Sequence, residues 1–85
     1  MTLDVRYARS FLYDLMSLEQ QAYLMAYNFV FIKFKEIKNL YDLPELRPLG
    51  SSAIFYRFTL EDYLVGIEVT GQIVKFVRIL PKPNL

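Results

Sequence analysis

The charged side chains of this 85-residue chain are carboxylates, lysines and arginines, because the sequence contains neither histidine nor cysteine. Without those two residue types, the usual zinc and transition-metal ligands are missing. A histidine general base, a thiol nucleophile and a disulfide framework are excluded as well. We therefore expect neither a metal site nor a cofactor.

The cations are dispersed along the chain. Its net charge is +1, with three lysines between residues 33 and 38 and later arginines at positions 47, 57 and 78. The lysines suit the carboxyl end of a helix, where the helix dipole favours positive charge. A nucleic-acid-binding domain generally carries a basic stripe, so the composition alone does not support one.

Arg57 lies in a predicted hairpin, residues 56–67, whose sequence is YRFTLEDYLVGI. Apolar and polar residues alternate on both sides of Glu61-Asp62, which predicts two strands joined by a two-residue turn. That register places the pairs Leu60–Tyr63, Phe58–Val65 and Tyr56–Ile67 on a core face. The opposite face receives Phe55 with Glu68, Arg57 with Gly66, and Thr59 with Leu64. A ligand or partner can dock on this mixed face, where Arg57 either contacts it or pairs with Glu68 or Glu61.

The elements before the hairpin predict one strand and two helices. Residues 3–7 alternate as a half-buried strand does. Ser10 can cap a first helix whose apolar face carries Phe11, Leu12, Leu15 and Leu18, with Asp14 and Ser17 turned away. Residues 17–20 (SLEQ) fit a capping box, so either a second helix begins there or one bent helix continues.

The second helix is predicted to run to about Lys35 with two apolar stripes. One stripe contains Ala22, Met25, Ala26, Phe29 and Val30, and the other contains Tyr23, Tyr27, Phe31 and Phe34. A helix that is apolar on two sides is sandwiched, or it presents one side to a partner. The whole chain is 54% apolar and 16% aromatic. Either a partner covers the excess, or half-exposed tyrosines account for it.

The remaining segments complete a single α+β domain over residues 1–85. Residues 39–50, with two prolines and a glycine, are predicted to be an irregular connector, and the last strand is predicted over residues 73–80. The resulting order, β-α-α-β-β-β, predicts a helical pair packed on one face of a mainly antiparallel four-stranded sheet. The longest apolar run, residues 22–32, is shorter than a membrane span, and the first residues are too polar for a signal peptide. We expect a cytoplasmic protein with no membrane partner.

The element order and several short motifs resemble the RelE/ParE superfamily of toxins from prokaryotic type II toxin–antitoxin modules. The family's hairpin pattern is matched by residues 56–59 (YRFT) and 62–66 (DYLVG), and its basic-any-Leu motif by residues 47–49 (RPL). Residues 10–15 (SFLYDL) are similar to the first-helix signature. Residues 76–80 (FVRIL) are similar to the last strand, which a basic pair normally follows.

The resemblance implies two activities. RelE-like members inhibit translation by cleaving mRNA on the ribosome, a metal-independent endoribonuclease reaction in which cationic side chains bind phosphates on the open sheet face. ParE-like members inhibit DNA gyrase without a nuclease site. Both pair with a cognate antitoxin, which is the partner that we expect here, together with the ribosome and mRNA in the first case and gyrase in the second.

The resemblance also assigns residues. Arg57 and Lys82 stand at or near positions of catalytic cations, and Arg47, Thr59 and Arg78 stand where phosphate or a partner is bound. Thr59 and Leu64 replace residues that are basic in RelE-like nucleases, so mRNA cleavage is expected to be weakened. The alternative is a protein that only inhibits gyrase or only binds its antitoxin. Alternatively, Arg78 pairs with a carboxylate or lies exposed.

Overall fold

A computed structural model describes residues 3–83; the ends of the predicted domain, residues 1–2 and 84–85, lie outside this range. Two helices pack on one face of a five-stranded sheet. The helices are α1 (Arg9–Met16) and α2 (Gln20–Tyr27); α2 continues into a π-helical turn (Asn28–Ile32) and a 3₁₀ turn (Lys33–Glu36), and another 3₁₀ turn spans Leu40–Asp42. The strands are β1 (Asp4–Tyr7), β2 (Arg47–Pro48), β3 (Phe55–Leu60), β4 (Tyr63–Thr70) and β5 (Ile73–Pro81). Among the described residues, no helix is long and apolar enough to cross a bilayer.

The sheet has the order β1-β5-β4-β3-β2, with β1 parallel to β5 and every other pair antiparallel. The α+β class and the mainly antiparallel sheet are thus confirmed, but the prediction of four strands was wrong by one. The fifth strand, β2, forms within the predicted connector, where Thr59 donates its backbone N–H to Pro44 (2.9 Å) and Leu49 donates to Phe55 (2.8 Å). Prolines are tolerated there because β2 is an edge strand, so Pro48 need not donate a hydrogen bond on both sides.

The predicted hairpin register is confirmed pair by pair. Leu60 faces Tyr63, and the pairing continues without a shift to Phe55 and Glu68. Glu61 occupies the turn with a φ of 54°, an uncommon value for a residue other than glycine. The helix-covered face contributes Phe58, Val65 and Ile67 to the core, each at most 1% exposed. The other face of the hairpin is left uncovered by α1 and α2.

Aromatic rings join the helices to the sheet. Phe11, Phe34, Phe58 and Phe76 are all buried, and the rings of Phe34 and Phe76 meet edge to face with their centroids 4.9 Å apart. Such edge contacts add to the free energy gained by removing the rings from water. The core therefore lies between the helical layer and one face of the sheet.

Helix α1 completes the edge of β5 where β1 ends. The last pair of β1 and β5 is Tyr7 with Phe76, and Ala8 then donates its N–H to the carbonyl of Phe76 (2.8 Å). Further along, Ser10 Oγ donates to the carbonyl of Val77 (2.6 Å), and Asp14 Oδ2 accepts from the N–H of Ile79 (3.1 Å). Two predictions were therefore wrong. Ala8, not Ser10, is the N-cap residue of α1, and Asp14 faces the sheet rather than solvent.

The predicted break between the two helices is confirmed, with a different capping residue. Glu19 caps α2, since its carboxylate accepts hydrogen bonds from the backbone N–H of Ala22 (2.8 Å) and Gln21 (3.4 Å). Ser17 instead donates its hydroxyl to the carbonyl of Tyr13 within α1 (3.0 Å). A carboxylate at this position also interacts favourably with the positive end of the helix dipole.

The second helix departs from α geometry after Tyr27, earlier than the predicted end at Lys35. Its buried residues are Ala22, Ala26, Val30 and Phe34, a spacing of four throughout. In an α-helix, three such steps would rotate the side chain by about 120° away from the starting face. The wider π-helical turn absorbs this rotation, so Phe34 joins the stripe of Ala22 rather than that of Tyr27, which is 43% exposed.

Candidate functional site

Three arginines lie in one row across the open face of the sheet. Arg47 pairs with Arg57, Arg57 with Gly66, and Gly66 with Arg78, so the row crosses β2, β3, β4 and β5. Directly opposed residues of neighbouring strands point to the same face. Since strands are about 4.8 Å apart, the row spans about 15 Å. The sheet register thus brings together three of the five residues predicted to form the site.

A groove of 240 Å³ lies over the middle of this row. Its charged lining residues are Arg57 and Arg78, and the backbone of β4 around Gly66 is also part of the lining. The apolar side chains that surround it on the open face come from four segments and are Leu49, Phe55, Leu64, Val77 and Leu80. The site is therefore an apolar groove with cations at its margin.

Arg78 is held by Asp14. Its Nε donates to Oδ2 at 2.6 Å and its Nη2 donates to Oδ1 at 3.1 Å. The hydrogen bond and then the charge of Asp14 raise the pKa of Arg78 above its ordinary value. The predicted pairing of Arg78 with a carboxylate is confirmed, and its positive charge is partly offset before any ligand arrives.

Arg47 and Arg57 are not held in this way. The ion pairs within residues 3–83 join Arg6 to Asp4, Lys75 to Glu68, and Arg78 to Asp14. Glu68, which the sequence offered as a partner for Arg57, lies 3.9 Å from Lys75 instead. Two guanidinium groups directly opposite each other in a sheet repel, so a negatively charged ligand between them would be favoured.

Thr59 and Lys82 occupy different surroundings. Thr59 is half-buried on the open face, in a row with Leu64 and Leu80. That row is uncharged. Lys82 is exposed beyond β5, where its backbone N–H donates to the carbonyl of Asp62 (2.8 Å), and its side chain does not line the groove. The structure therefore brings Lys82 to the hairpin turn rather than into the arginine row.

Sequence reasoning missed Asp14 and three of the five apolar lining residues, Leu49, Val77 and Leu80. Leu49 comes to the groove beside β2. Asp14, Val77 and Leu80 depend on a β-bulge in β5, where the register with β4 shifts between Gly66 and Ile67 and leaves Val77 as an extra residue. The sequence carried a signal for this bulge, because strict alternation from Val74 and Phe76 would place the charged Arg78 in the core. In the structure Ile79 is buried instead. No group of acidic side chains that could hold a metal ion occurs in the described part of the chain.

No protein-family model and no curated protein matches the chain. The chain does match solved structures, three of which are described here. A chain of the toxin–antitoxin complex RelBE2 from Mycobacterium tuberculosis superposes with a TM-score of 0.76 at 16% identity, covering 96% of this chain and 100% of that one. A chain of the archaeal RelE–RelB complex from Pyrococcus horikoshii gives 0.69 at 22% identity, with 100% of both chains covered. The RelB–RelE antitoxin–toxin complex from Methanococcus jannaschii gives 0.61 at 22% identity, covering 89% of this chain and 88% of that one. This chain thus has the α+β fold found in these RelE structures.

Proposed function

We propose that the chain is the toxin of a type II toxin–antitoxin module and that it pairs with a cognate antitoxin. Support comes from the three structural neighbours, each of which was solved as a complex of a toxin with an antitoxin. Exposed apolar side chains supply contact area for such a partner, among them Met16 (75% exposed), Leu24 (57%) and Ile32 (57%). Large apolar side chains left in water are typical of surfaces that a partner covers.

The proposed activity is RelE-like cleavage of mRNA on the ribosome in the cytoplasm, at a reduced rate. The observation that carries it is the row of Arg47, Arg57 and Arg78 on the open face. In such a reaction the 2′-hydroxyl attacks the adjacent phosphate, a bond from phosphorus to the 2′ oxygen forms, and the bond to the 5′ oxygen breaks. Arg57 would stabilise the negative charge that grows on the phosphate, and Arg47 and Arg78 would position its neighbours.

The reduced rate follows from the uncharged row beside the arginines. Thr59, Leu64 and Leu80 offer no cation to a phosphate. Each missing charge-assisted hydrogen bond costs about 1.5–3 kcal/mol, and about 1.4 kcal/mol is tenfold in rate. Lys82 is the cation proposed to assist proton transfer. To do so, its side chain would have to reach the scissile bond from outside the groove.

The apolar lining of the groove favours a second candidate, a protein without nuclease activity. It would either inhibit gyrase in the manner of ParE or only bind its antitoxin. A groove lined by five apolar side chains is suited to a protein surface, whereas a phosphate chain requires polar contacts.

Controlled expression in a bacterial host separates these functions. We expect growth arrest with mRNA cut between codons, detected by primer extension, and loss of both in Arg57→Ala. Lys38→Ala, which removes an exposed cation away from the groove, should behave like the original chain. Growth arrest with intact mRNA and altered plasmid supercoiling would support the ParE-like candidate. No arrest, with both mRNA and supercoiling unchanged, would leave only the antitoxin-binding role.

A further inference from the structure

The edge of the sheet formed by β1 has no neighbouring strand within residues 3–83. The other side of β1 is parallel to β5, where Asp4 donates its N–H to the carbonyl of Gln72 (2.8 Å). Backbone groups of successive residues in a strand point to opposite sides, so those of Val5 and Tyr7 are directed away from β5. This edge therefore offers hydrogen-bond donors and acceptors to another strand.

The two edges of the sheet are protected differently. The strand at the opposite edge, β2, has two residues, one of which is Pro48, and both its short length and its proline discourage pairing with another chain. The four residues of β1, DVRY, include neither proline nor lysine. Charged side chains also discourage edge pairing, and β1 carries two of them, so their arrangement decides which strand this edge can accept.

Those two charges, Asp4 and Arg6, flank Val5 on one face of β1. Their side chains form an exposed ion pair at 2.8 Å, which shows that they point to the same side. In an antiparallel pair of two β1 strands centred on Val5, Asp4 of each copy faces Arg6 of the other, and opposite charges across a strand pair stabilise it. A pair centred on Asp4 or on Arg6 would place like charges opposite each other. The charges of β1 are therefore complementary to those of a second copy when Val5 lies at the centre.

The same register brings apolar residues together on the other face of β1. It pairs Val5 with Val5 and Leu3 with Tyr7, and all three side chains are half-buried in the single chain. They border an open groove of 480 Å³, together with Phe31 and Lys35 from the turns after α2. Cross-strand pairs of aromatic and β-branched side chains stabilise a sheet. A second copy would thus cover apolar surface that the single chain leaves partly in water.

The backbone of β1 agrees with this register. Antiparallel strands alternate between hydrogen-bonded pairs and non-hydrogen-bonded pairs, and the side chains are closer in the second kind. Val5 directs its N–H and C=O outward, so a Val5–Val5 pair is of the first kind. The adjacent Asp4–Arg6 pairs are then of the second kind, with Cα atoms about 4.5 Å apart. Charge, apolar contact and hydrogen bonding therefore specify the same arrangement.

We propose that two copies of this chain form a symmetric dimer through the free edge of β1, paired antiparallel with Val5 on the two-fold axis. The two sheets join into one, and because directly opposed residues point to the same face, both arginine rows lie on the same side of it. The interface contains no residue of the arginine row, and the proposal does not depend on the proposed toxin function. Because the paired segment is short, we expect a dimer at high protein concentration and a monomer in dilute solution.

Sedimentation equilibrium of the full chain tests whether the dimer forms. We expect the average mass to rise from 10.1 kDa towards twice that value as the concentration increases from about 5 to about 500 μM, as mass action requires. A mass that remained at 10.1 kDa over this range would overturn the proposal and leave the edge of β1 to a different partner.

Charge reversal tests the register. Asp4→Arg places arginine opposite arginine across the axis and Arg6→Asp places aspartate opposite aspartate, so each variant alone should associate at least about tenfold more weakly. An equimolar mixture of the two variants has opposite charges at every position and should regain the dimer. Asp42→Arg, which reverses an exposed carboxylate outside the β1 groove, should associate like the original chain. A mixture that stayed monomeric, or a single variant that associated as the original does, would refute the register.

Substitution of Val5 tests the role of the backbone. Val5→Pro removes the outward N–H, and proline is tolerated in an edge strand at such a position, so β1 can keep its hydrogen bonds to β5. We expect loss of the dimer with an unchanged circular dichroism spectrum. Val5→Thr, which keeps both the branched shape and the N–H, should retain the dimer. A dimer that persisted in Val5→Pro would place the interface elsewhere. These masses are measured on the chain alone, so they are independent of growth arrest and mRNA cleavage.

Discussion

Asp14 links α1 to β5, since it binds one side chain and one backbone group of that strand. Its side chain is 14% exposed and accepts from both the Arg78 guanidinium and the N–H of Ile79. Asp14→Ala leaves that partly buried N–H without an acceptor, which costs about 1–3 kcal/mol. We therefore expect a lower free energy of unfolding in Asp14→Ala, measured by urea denaturation.

Two comparisons isolate the cause of that loss. Arg78→Gln removes the exposed partner and keeps the Asp14–Ile79 hydrogen bond, so its loss of stability should be the smaller of the two. Asp4→Ala, which removes the exposed pair with Arg6, should change the urea midpoint very little. If Arg78→Gln destabilised as much as Asp14→Ala, the ion pair rather than the backbone hydrogen bond would carry the effect.

At the scale of the element, the π-helical turn after α2 determines which of the apolar side chains that follow α2 is buried. Phe34 is 1% exposed and packs against Phe76, whereas Ile32, two residues earlier, is 57% exposed. Phe34→Ala should lower the free energy of unfolding by about 3–5 kcal/mol, the usual cost of emptying a large aromatic site in a core. Ile32→Ala should change it by no more than about 0.5 kcal/mol. Similar urea midpoints for the two variants would show that residues 28–36 do not keep this register.

The hairpin could be predicted in full, while β2 and the end of α2 could not. A two-residue turn between two alternating strands fixes every pair from Leu60–Tyr63 outward, so Arg57 and Gly66 were placed together from local pattern alone. Strand β2 has two residues, one of them proline, and exists because β3 offers it hydrogen bonds. The register of Phe34 depends on packing against Phe76, which is distant in sequence.

The candidate site, like the fold, could be predicted from the sequence only in part. Arg47 joins Arg57 only through β2, and Arg78 joins Gly66 only through the bulge at Val77. The first is a tertiary arrangement that no local period specifies, and the second is marked in the sequence only by a break in the alternation of β5. The sequence could therefore nominate the arginines separately, while the row that they form required the sheet.

At the scale of the whole molecule, the absence of histidine and cysteine determines how stability depends on pH. Reference pKa values place carboxylates below about pH 5 and tyrosine and lysine near or above pH 10. Stability is therefore expected to be nearly constant between about pH 6 and pH 9. Above that range Tyr7 contributes, because burial raises its pKa above the ordinary value of 10.0.

The sign of the Tyr7 effect follows from proton linkage. Near pH 10 the unfolded chain releases the phenolic proton while folded Tyr7, packed 4.6 Å from Phe31 between ring centroids, retains it. The stability present below pH 10 is thus lost as the pH rises through the folded pKa. Tyr7→Phe cannot ionise, so its unfolding midpoint in a base titration should move to higher pH, monitored by circular dichroism. Tyr13→Phe, at a side chain that is 64% exposed, should leave the midpoint in place. An equal shift in both variants would mean that total charge, rather than the burial of Tyr7, sets the alkaline limit of the fold.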